Sequence, residues 1–390
     1  MRECGHGDPA PDSPELAWCP HAVLCIMLVM ATEEDDSSGR DAPHRRRPRY
    51  AGTHPRRFHE RYKERNPDSY PEMHRHIRAQ GRTPAGTHVP VMVEEVLTRL
   101  APRPGDVVAD LTLGYGGHAE AFLRAIGPAG RLVGFDVDGG QLERTGRRLA
   151  KLSGSVSLCH GNFAGIGKAL SAERIDGFHV IFADLGVSSM QLDDPQRGFT
   201  YKHDGPLDMR MDGRLVRTAA DVLAAIPEND LAAALADLAD EEDAAAVAAC
   251  IVRRREVAPL ARTLELAEAV LAAKGLTPRD WQRVKAQNPS AMHPAARTFL
   301  ALRILVNDEL ASLRQLLRLA PWCLRPGGRI GFLTFHSGED RLVKLAFRDA
   351  LRDGTYVEAP AEVTRPTPAE IAANPRCRPA KFRWARKAGP

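Results

Sequence analysis

From residue 88 the chain alternates between short apolar runs and longer stretches whose apolar residues sit three and four apart. Val89 to Leu100, VPVMVEEVLTRL, has helical spacing. Pro104-Gly105 introduces DVVADL, a buried-strand run, followed by the glycine-rich TLGYGG and by HAEAFLRAI with helical spacing again. RLVGFDVD reads as a strand, GGQLERTGRRLAKL as a helix, VSLCHGN as a strand, and IDGFHVIFADLG ends in a further strand. Such alternation predicts a parallel sheet with helices on both faces. Between about 206 and 300 the alternation stops. Stretches such as AADVLAAI, DLAAALADLADEEDAAAVAACIVRRR and TLELAEAVLAAKG are rich in Ala and Leu with helical period and contain no strand run. One long helix, ARTFLALRILVNDELASLRQLLRLA, then leads through RPGGR into the strand IGFLTF, where the sheet resumes.

This pattern divides the chain into four parts: an extension over 1–82, disordered or partly helical; a first part of an α/β core over 83–205; an inserted all-helical domain over 206–296, expected to recognise substrate; and a second core part over 297–390. The apolar run Ala22–Met30 is too short to span a bilayer, which takes about 20 residues. It also lacks the basic lead-in and small-residue cleavage site of a secretory signal. A disordered leader and a true start at Met30 both fit it. Between Arg40 and Arg82, 13 basic residues face 5 acidic ones, with Tyr50, Phe58 and Tyr62 interleaved. That pattern suits a tail that neutralises phosphates and stacks on bases. It equally suits a solvated extension.

Net charge is only +4, so the chain as a whole makes no electrostatic case for nucleic acid. Hydrophobic residues make up 43% and charged residues 27%, the balance of a soluble globular protein. The 7 cysteines form no CxxC pair and no zinc-ligand spacing with histidine. They read as free thiols in a reducing cytoplasm.

Candidate chemistry gathers at the predicted strand ends. The loop Asp110-Leu111-Thr112-Leu113-Gly114-Tyr115-Gly116-Gly117-His118 joins a strand to a helix. Glycines there admit close backbone approach to a ligand, and the helix start offers free N–H donors. The loop does not match the dinucleotide fingerprint GxGxxG. Asp136 ends the next strand, where nucleotide-binding α/β folds place an acid for ribose hydroxyls; Asp138 competes for that role. Phe163, after the third strand, suits an adenine face or ordinary core packing. Asp184 ends the fourth strand and faces the crevice that opens there.

At ADLGVSSMQLDDPQRGFTYKHDGPLDMRMD, residues 183–212, the chain closely resembles the bacterial 16S rRNA (cytosine-N4)-methyltransferase family, RsmH or MraW. HVPVMVEEVL, GGHAEAFL, HPAARTFLALRILVNDEL, PGGRIGFLTFHSGEDRLVK and NPRCRPAKFRWARK extend the resemblance from about 88 to 387. It implies a Rossmann-like, S-adenosylmethionine-dependent methyltransferase core with the inserted helical domain. It implies S-adenosyl-L-methionine contacts at Gly116, Gly117, His118, Asp136, Phe163, Asp184 and Gln191, with the loop from Gly186 to Gln191 as the wall between cofactor and base. The implied substrate is a cytidine in the decoding region of small-subunit 16S rRNA, near the P site. Membrane and metal are not implied; cytoplasmic location is, and a homodimer is left open. The chain departs from the family at Leu238–Asp243, where Tyr-Gly-Glu-Glu-Arg is usual, at Leu300 for Gln and at Gly338 for Leu.

The methyl of this cofactor is already activated, so the catalytic demand falls on the delocalised amine of cytosine. Asp184 is the candidate acceptor for its proton, with in-line positioning supplying much of the rate. Phe199 and Tyr201 are candidates for stacking on the base. Arg197, Lys202 and Arg210 are candidates for holding phosphate. Arg253-Arg254-Arg255 and Arg376, Arg378, Lys381 and Arg383 are further RNA contacts, or solvated charge. A nicotinamide dehydrogenase is disfavoured by the missing fingerprint. A DNA cytosine-N4 methyltransferase is disfavoured by Asp-Leu-Gly-Val in place of a Pro-Pro-Tyr motif. A non-catalytic ribosome-binding factor with the same fold is the remaining alternative. His336-Ser337 lacks the elbow of a hydrolase nucleophile.

Overall fold

The computed structural model describes residues 24–27, 90–152 and 154–389. Eight strands form one sheet: β1 (Leu24–Met27), β2 (Val107–Asp110), β3 (Arg131–Asp136), β4 (Ser155–His160), β5 (Phe178–Asp184), β6 (Leu324–Thr334), β7 (Tyr356–Glu358) and β8 (Lys381–Lys387). Their order is β1-β4-β3-β2-β5-β6-β8-β7. The five strands from β4 to β6 run parallel, while β1 pairs antiparallel with β4 and β8 antiparallel with β6 and β7. The predicted Rossmann-like alternation is therefore present, with a strand order that reverses between β2 and β5. Ligands of such sheets bind at that reversal, beyond the carboxyl ends of the strands.

Among the described residues, three apolar clusters form the core. On one face of the sheet, Val133, Phe178, Ile181 and Phe332 pack with Leu313 and Leu316 of α12 (Glu309–Cys323) and Phe347 of α13 (Ser337–Arg352). On the other, Val108, Leu132, Val180 and Leu333 meet Val96 and Leu100 of α1 (Val93–Leu100) and Phe122 and Ile126 of α2 (Gly117–Ile126). The third belongs to the insertion. Its helices α6 (Ala219–Ala225), α7 (Glu228–Ala239), α8 (Ala244–Val257), α9 (Thr263–Ala273) and α11 (Ala296–Asn307) bury Leu223, Leu231, Leu235, Ile251, Leu266, Val270 and Leu302 against one another. α10 (Pro278–Gln287) lies outside all three clusters.

Four local expectations change. α1 starts at Val93, because Met92 takes a left-handed conformation (φ 55°) and gives its N–H to Glu370 at 2.7 Å. The single long helix expected after 296 is two, α11 and α12, separated at Asp308 (φ 51°). Since α11 packs in the insertion's cluster, the helical unit runs on past 297 and the chain re-enters the sheet layers at Asp308. β8 is an additional strand; Lys381, Phe382, Arg383 and Trp384 alternate across it. Of the 1–82 extension, only Leu24–Met27 falls within the described residues, as the edge strand β1; its basic, aromatic part lies outside them. No helix among the described residues is long and apolar enough to cross a membrane.

Candidate active site

Gly116, Gly117, His118, Asp136, Phe163, Asp184 and Gln191 all line one cleft of about 1090 Å³ at the carboxyl ends of the parallel strands. Backbone conformation explains the glycine loop. Gly114 and Gly116 have positive φ, 48° and 71°, which lets the chain turn from β2 into α2. Close packing demands the two glycines that open the helix. A Cβ on Gly116 would stand 2.7 Å from Thr145 Cγ2, and one on Gly117 would stand 2.8 Å from Pro90 Cγ. Their lack of a side chain therefore serves the protein's own packing as well as the cleft.

Asp136 and Asp138 divide their roles. The Asp136 carboxylate accepts N–H groups of Gly114 and Asp138, both at 2.8 Å, and lines the cleft. Burial pushes it up to about 6 against those hydrogen bonds. Asp138 caps α3 (Gly139–Leu149) through the Gln141 N–H and pairs with Arg197 at 2.7 Å, which fixes it as a structural acid at the rim.

Asp184 and Asp110 occupy neighbouring strand ends. The Asp184 N–H donates to Thr112 Oγ1 at 2.6 Å, and Asp110 Oδ1 accepts the Thr112 N–H at 3.2 Å, so one threonine couples both strand tips. Burial pushes Asp184 up to about 8, with the charges of Asp110 and Glu339 adding to it. Burial likewise raises Asp110 to about 7, against the Thr112 N–H bond and with Asp136 adding to it. His118 stands beside them. Its Nε2 lies 2.9 Å from the Val91 carbonyl, its Nδ1 is 3.8 Å from Asp184 Oδ2, and its ring packs on Phe182 at 4.6 Å. A carbonyl only accepts, so Nε2 carries the proton and Nδ1 faces the carboxyl.

Phe163 sits in a single 3-10 turn, Phe163–Gly165, whose start is capped by Asn162; Asn162 also donates to Ser312 at 3.0 Å. The ring is half-buried, packing on the core while lining the cleft. Gln191 lies on α5 (Ser189–Asp193) and accepts the Ser188 N–H at 3.0 Å, closing a reciprocal cap with Ser188. This cap gives the Gly186–Gln191 loop its shape, with Gly186 at φ 99°.

Sequence reasoning missed the far wall. Arg303, Asn307, Asp308, Glu309 and Glu339 also line the cleft. Arg303 binds Glu309 through two bonds of 2.8 Å and approaches Glu339 at 4.0 Å. Glu339 accepts the Phe335 N–H at 2.9 Å and has His336 Nε2 at 3.1 Å. Though burial opposes it, the His336 and Arg303 side chains and the Phe335 N–H hold Glu339 below its ordinary range. The only sequence signal for this wall is charge at core-facing positions of otherwise apolar helices.

Most proposed RNA contacts from 197 to 211 turn inward. Arg197 spends its guanidinium on Asp138 and on the carbonyls of Arg210 and Met211. Arg210 is held by Asp208 and the Leu215 carbonyl. Phe199 and Met209 are buried in the insertion's cluster, and Tyr201 stacks on His293 at 4.4 Å. Arg255 binds the carbonyls of Leu223 and Ile226, Arg376 pairs with Asp193, and Lys381 and Arg383 both pair with Asp340. Lys202, Arg253 and Arg378 remain exposed. At the departure from the family pattern, Asp243 lies 3.4 Å from Lys274, which also binds Glu241 at 2.6 Å.

Residues 85–388 match the family model described as the MraW methylase family. The chain is 40% identical over 352 residues to "Ribosomal RNA small subunit methyltransferase H 1" of Lachnoclostridium phytofermentans, covering 88% of this chain and 93% of that protein. It is 43% identical over 323 residues to "Ribosomal RNA small subunit methyltransferase H" of Acidothermus cellulolyticus, covering 78% and 94%. The similarity to the protein of that name in Geobacter sp. strain M21 is 42% over 315 residues, covering 77% and 98%. With the sheet order, the cleft and these matches in agreement, the chain belongs to the MraW methylase family of small-subunit ribosomal RNA methyltransferases.

Proposed function

We infer that this chain transfers a methyl group from S-adenosyl-L-methionine to the exocyclic N4 of a cytidine in the decoding region of 16S rRNA, near the P site. The observation that carries the reading is the convergence of Asp136 and Asp184 on one cleft beside the glycine loop, with Asp110 buried at the neighbouring strand tip behind them. Buried carboxyls pushed up toward neutrality favour a cationic ligand, because a nearby positive charge stabilises their ionised form. The donor set fits the cofactor on those grounds: a sulfonium and an ammonium for the acids, ribose hydroxyls for Asp136, and an apolar face for Phe163. When bound, the cofactor supplies a methyl already activated by positive charge.

The protein's own residues then have defined tasks. Gly117 and the start of α2 present backbone N–H groups toward the cleft, while the Gly116 N–H is held by the Leu113 carbonyl at 2.6 Å. The capped loop from Gly186 to Gln191 separates the cofactor side from the base side. Asp184, once ionised, accepts an N4–H and so localises the amine's lone pair. A carboxylate whose affinity for protons has been raised by burial is a better base than an exposed one at the same pH. His118 forms the wall beside that carboxyl, with its Nδ1 3.8 Å from Asp184 Oδ2. The wall of Arg303, Glu309 and Glu339 lines the side toward which the Gly186 loop turns. RNA in solution and a cytoplasmic setting accord with this chemistry.

The test is nucleoside mass spectrometry of 16S rRNA from cells with and without the gene, joined to calorimetry with S-adenosyl-L-methionine. Loss of one N4-methylated cytidine is expected on deletion. A folded protein with no affinity for the cofactor would overturn the reading.

A further inference from the structure

α10 is an anomaly in a well-packed insertion. None of its residues is buried, and every position from Gln282 to Ser290 is exposed. A helix of this length is marginal in isolation, where about 12–15 residues are needed even for favourable sequences. Local devices hold it. Pro278 occupies its first turn, and Thr277 and Asp280 exchange reciprocal capping bonds at 3.0 and 3.2 Å. Lys285 donates to the carbonyls of Pro289 and Ala291, closing the turn that follows.

Aromatic stacking supplies its attachment to the rest of the unit. Trp281 meets His293 edge-on at 4.9 Å, His293 stacks on Tyr201 at 4.4 Å, and Tyr201 meets Phe299 edge-on at 5.4 Å. Burial and Lys285 lower His293 to about 4, so this stack is uncharged at neutral pH. Tyr201 belongs to the loop that Arg197 fastens to Asp138 at the cleft rim. Position is thus passed from α10 to the cleft through three rings and one ion pair.

The charge on the helix has one sign to spare. It carries Arg279, Arg283 and Lys285 against Asp280, whose carboxylate is occupied by the cap. Arg279 makes no ion pair among the described residues, and Arg283, though 3.6 Å from Asp280 Oδ1, has a side chain 78% exposed. Val284 and Met292 are exposed beside them, at 40% and 61%. A projecting, cationic element with apolar residues between its charges matches a nucleic-acid backbone, where phosphates take the cations and sugars the apolar groups.

We propose that α10 and the exposed segment after it, 278–292, are a docking ridge for the phosphate backbone of the substrate RNA, registered to the cofactor cleft through Trp281, His293 and Tyr201. The inference rests on the rRNA-methylation reading above. Its test uses the full chain and small ribosomal subunits from cells lacking this methyltransferase. Arg279→Glu combined with Arg283→Glu is expected to weaken binding to those subunits about tenfold or more. It should flatten the slope of log affinity against log salt by about 2, the share of two phosphate contacts. Cofactor affinity and thermal midpoint should not change. Trp281→Ala should raise KM for the subunits with cofactor affinity unchanged, and Trp281→Phe should restore it. Unchanged affinity in the double variant overturns the proposal. So does a loss of affinity without a change in salt slope, which would assign the ridge to a protein contact. Wild-type protein that binds and methylates the subunits while the double variant behaves identically sinks the ridge alone; wild-type protein that does neither sinks the parent reading.

Discussion

Asp184 is under opposed demands. Its burial near Asp110 and Glu339 makes ionisation costly, yet the proposed role requires the ionised form. Its affinity for protons is higher in the folded protein than in the unfolded chain. The native state therefore holds more protons between about pH 4 and pH 8, and stability falls as pH rises through that window. Asp184→Asn removes the ionisation. Thermal melts without cofactor should show a flatter pH dependence and a higher midpoint at pH 8 for the variant. Methyl transfer should drop by about 10²–10⁴-fold, the usual worth of a positioned proton acceptor, and cofactor affinity should weaken with the loss of the carboxylate. A variant that melts as wild type across pH, or turns over normally, removes Asp184 from both roles. Gly117 tests packing instead. Gly117→Ala drives a methyl into Pro90 and should destabilise by about 1–3 kcal/mol in denaturant titrations.

At the scale of elements, the decisive feature is the break between α11 and α12. Asn307 donates to the carbonyls of Met209 and Arg303, at 2.7 and 2.9 Å, and accepts the Met211 N–H at 2.7 Å. Asn307→Ala leaves those backbone groups without their partner. It should destabilise by about 1–3 kcal/mol and raise KM for RNA, measured by urea titration and steady-state kinetics. Unchanged stability would show that water replaces the amide at no cost. The core alternation of strand and helix was legible because burial on both sheet faces imposes its own period. Gly116, Gly117, Asp136 and Asp184 were legible as cleft residues because glycine turns and strand-end acids sit at fixed offsets, whereas Gln191 came only from the family resemblance. The break was not legible, since Asn307 and Asp308 fall at positions a helix tolerates, and the Met209 and Met211 groups that Asn307 binds lie about a hundred residues away. β8 left a readable trace in the alternation of Lys381, Phe382, Arg383 and Trp384. Its cations read as RNA contacts from sequence, whereas Asp340 takes both Lys381 and Arg383. Arg303 and Glu339 gave no sign beyond a charge at a core-facing position, because their meaning comes from facing each other across a cleft built by the fold.

Across the whole molecule, the acid-lined cleft links cofactor to stability. A cationic ligand that favours ionised Asp136 and Asp184, both raised by burial, should bind more tightly as pH rises. The thermal shift from S-adenosyl-L-methionine should therefore be larger at pH 8 than at pH 6, in proportion to the change in affinity. An equal shift at both values would mean that the carboxyls do not sense the cofactor's charge. The insertion, for its part, leaves the sheet layers and returns to them beside one side chain, since Asn307 joins the chain where it departs, at Met209 and Met211, to the chain where it comes back. A polypeptide excursion pinned shut at its neck can vary at its far end while its base, where Arg303 and Asn307 reach the cleft, stays fixed. Its interior can be trimmed, enlarged or exchanged for a relative's without disturbing strand pairing, provided the neck stays fastened. A chimera that keeps α11, whose Arg303 and Asn307 line the cleft, should bind the cofactor as the parent does, which calorimetry would read.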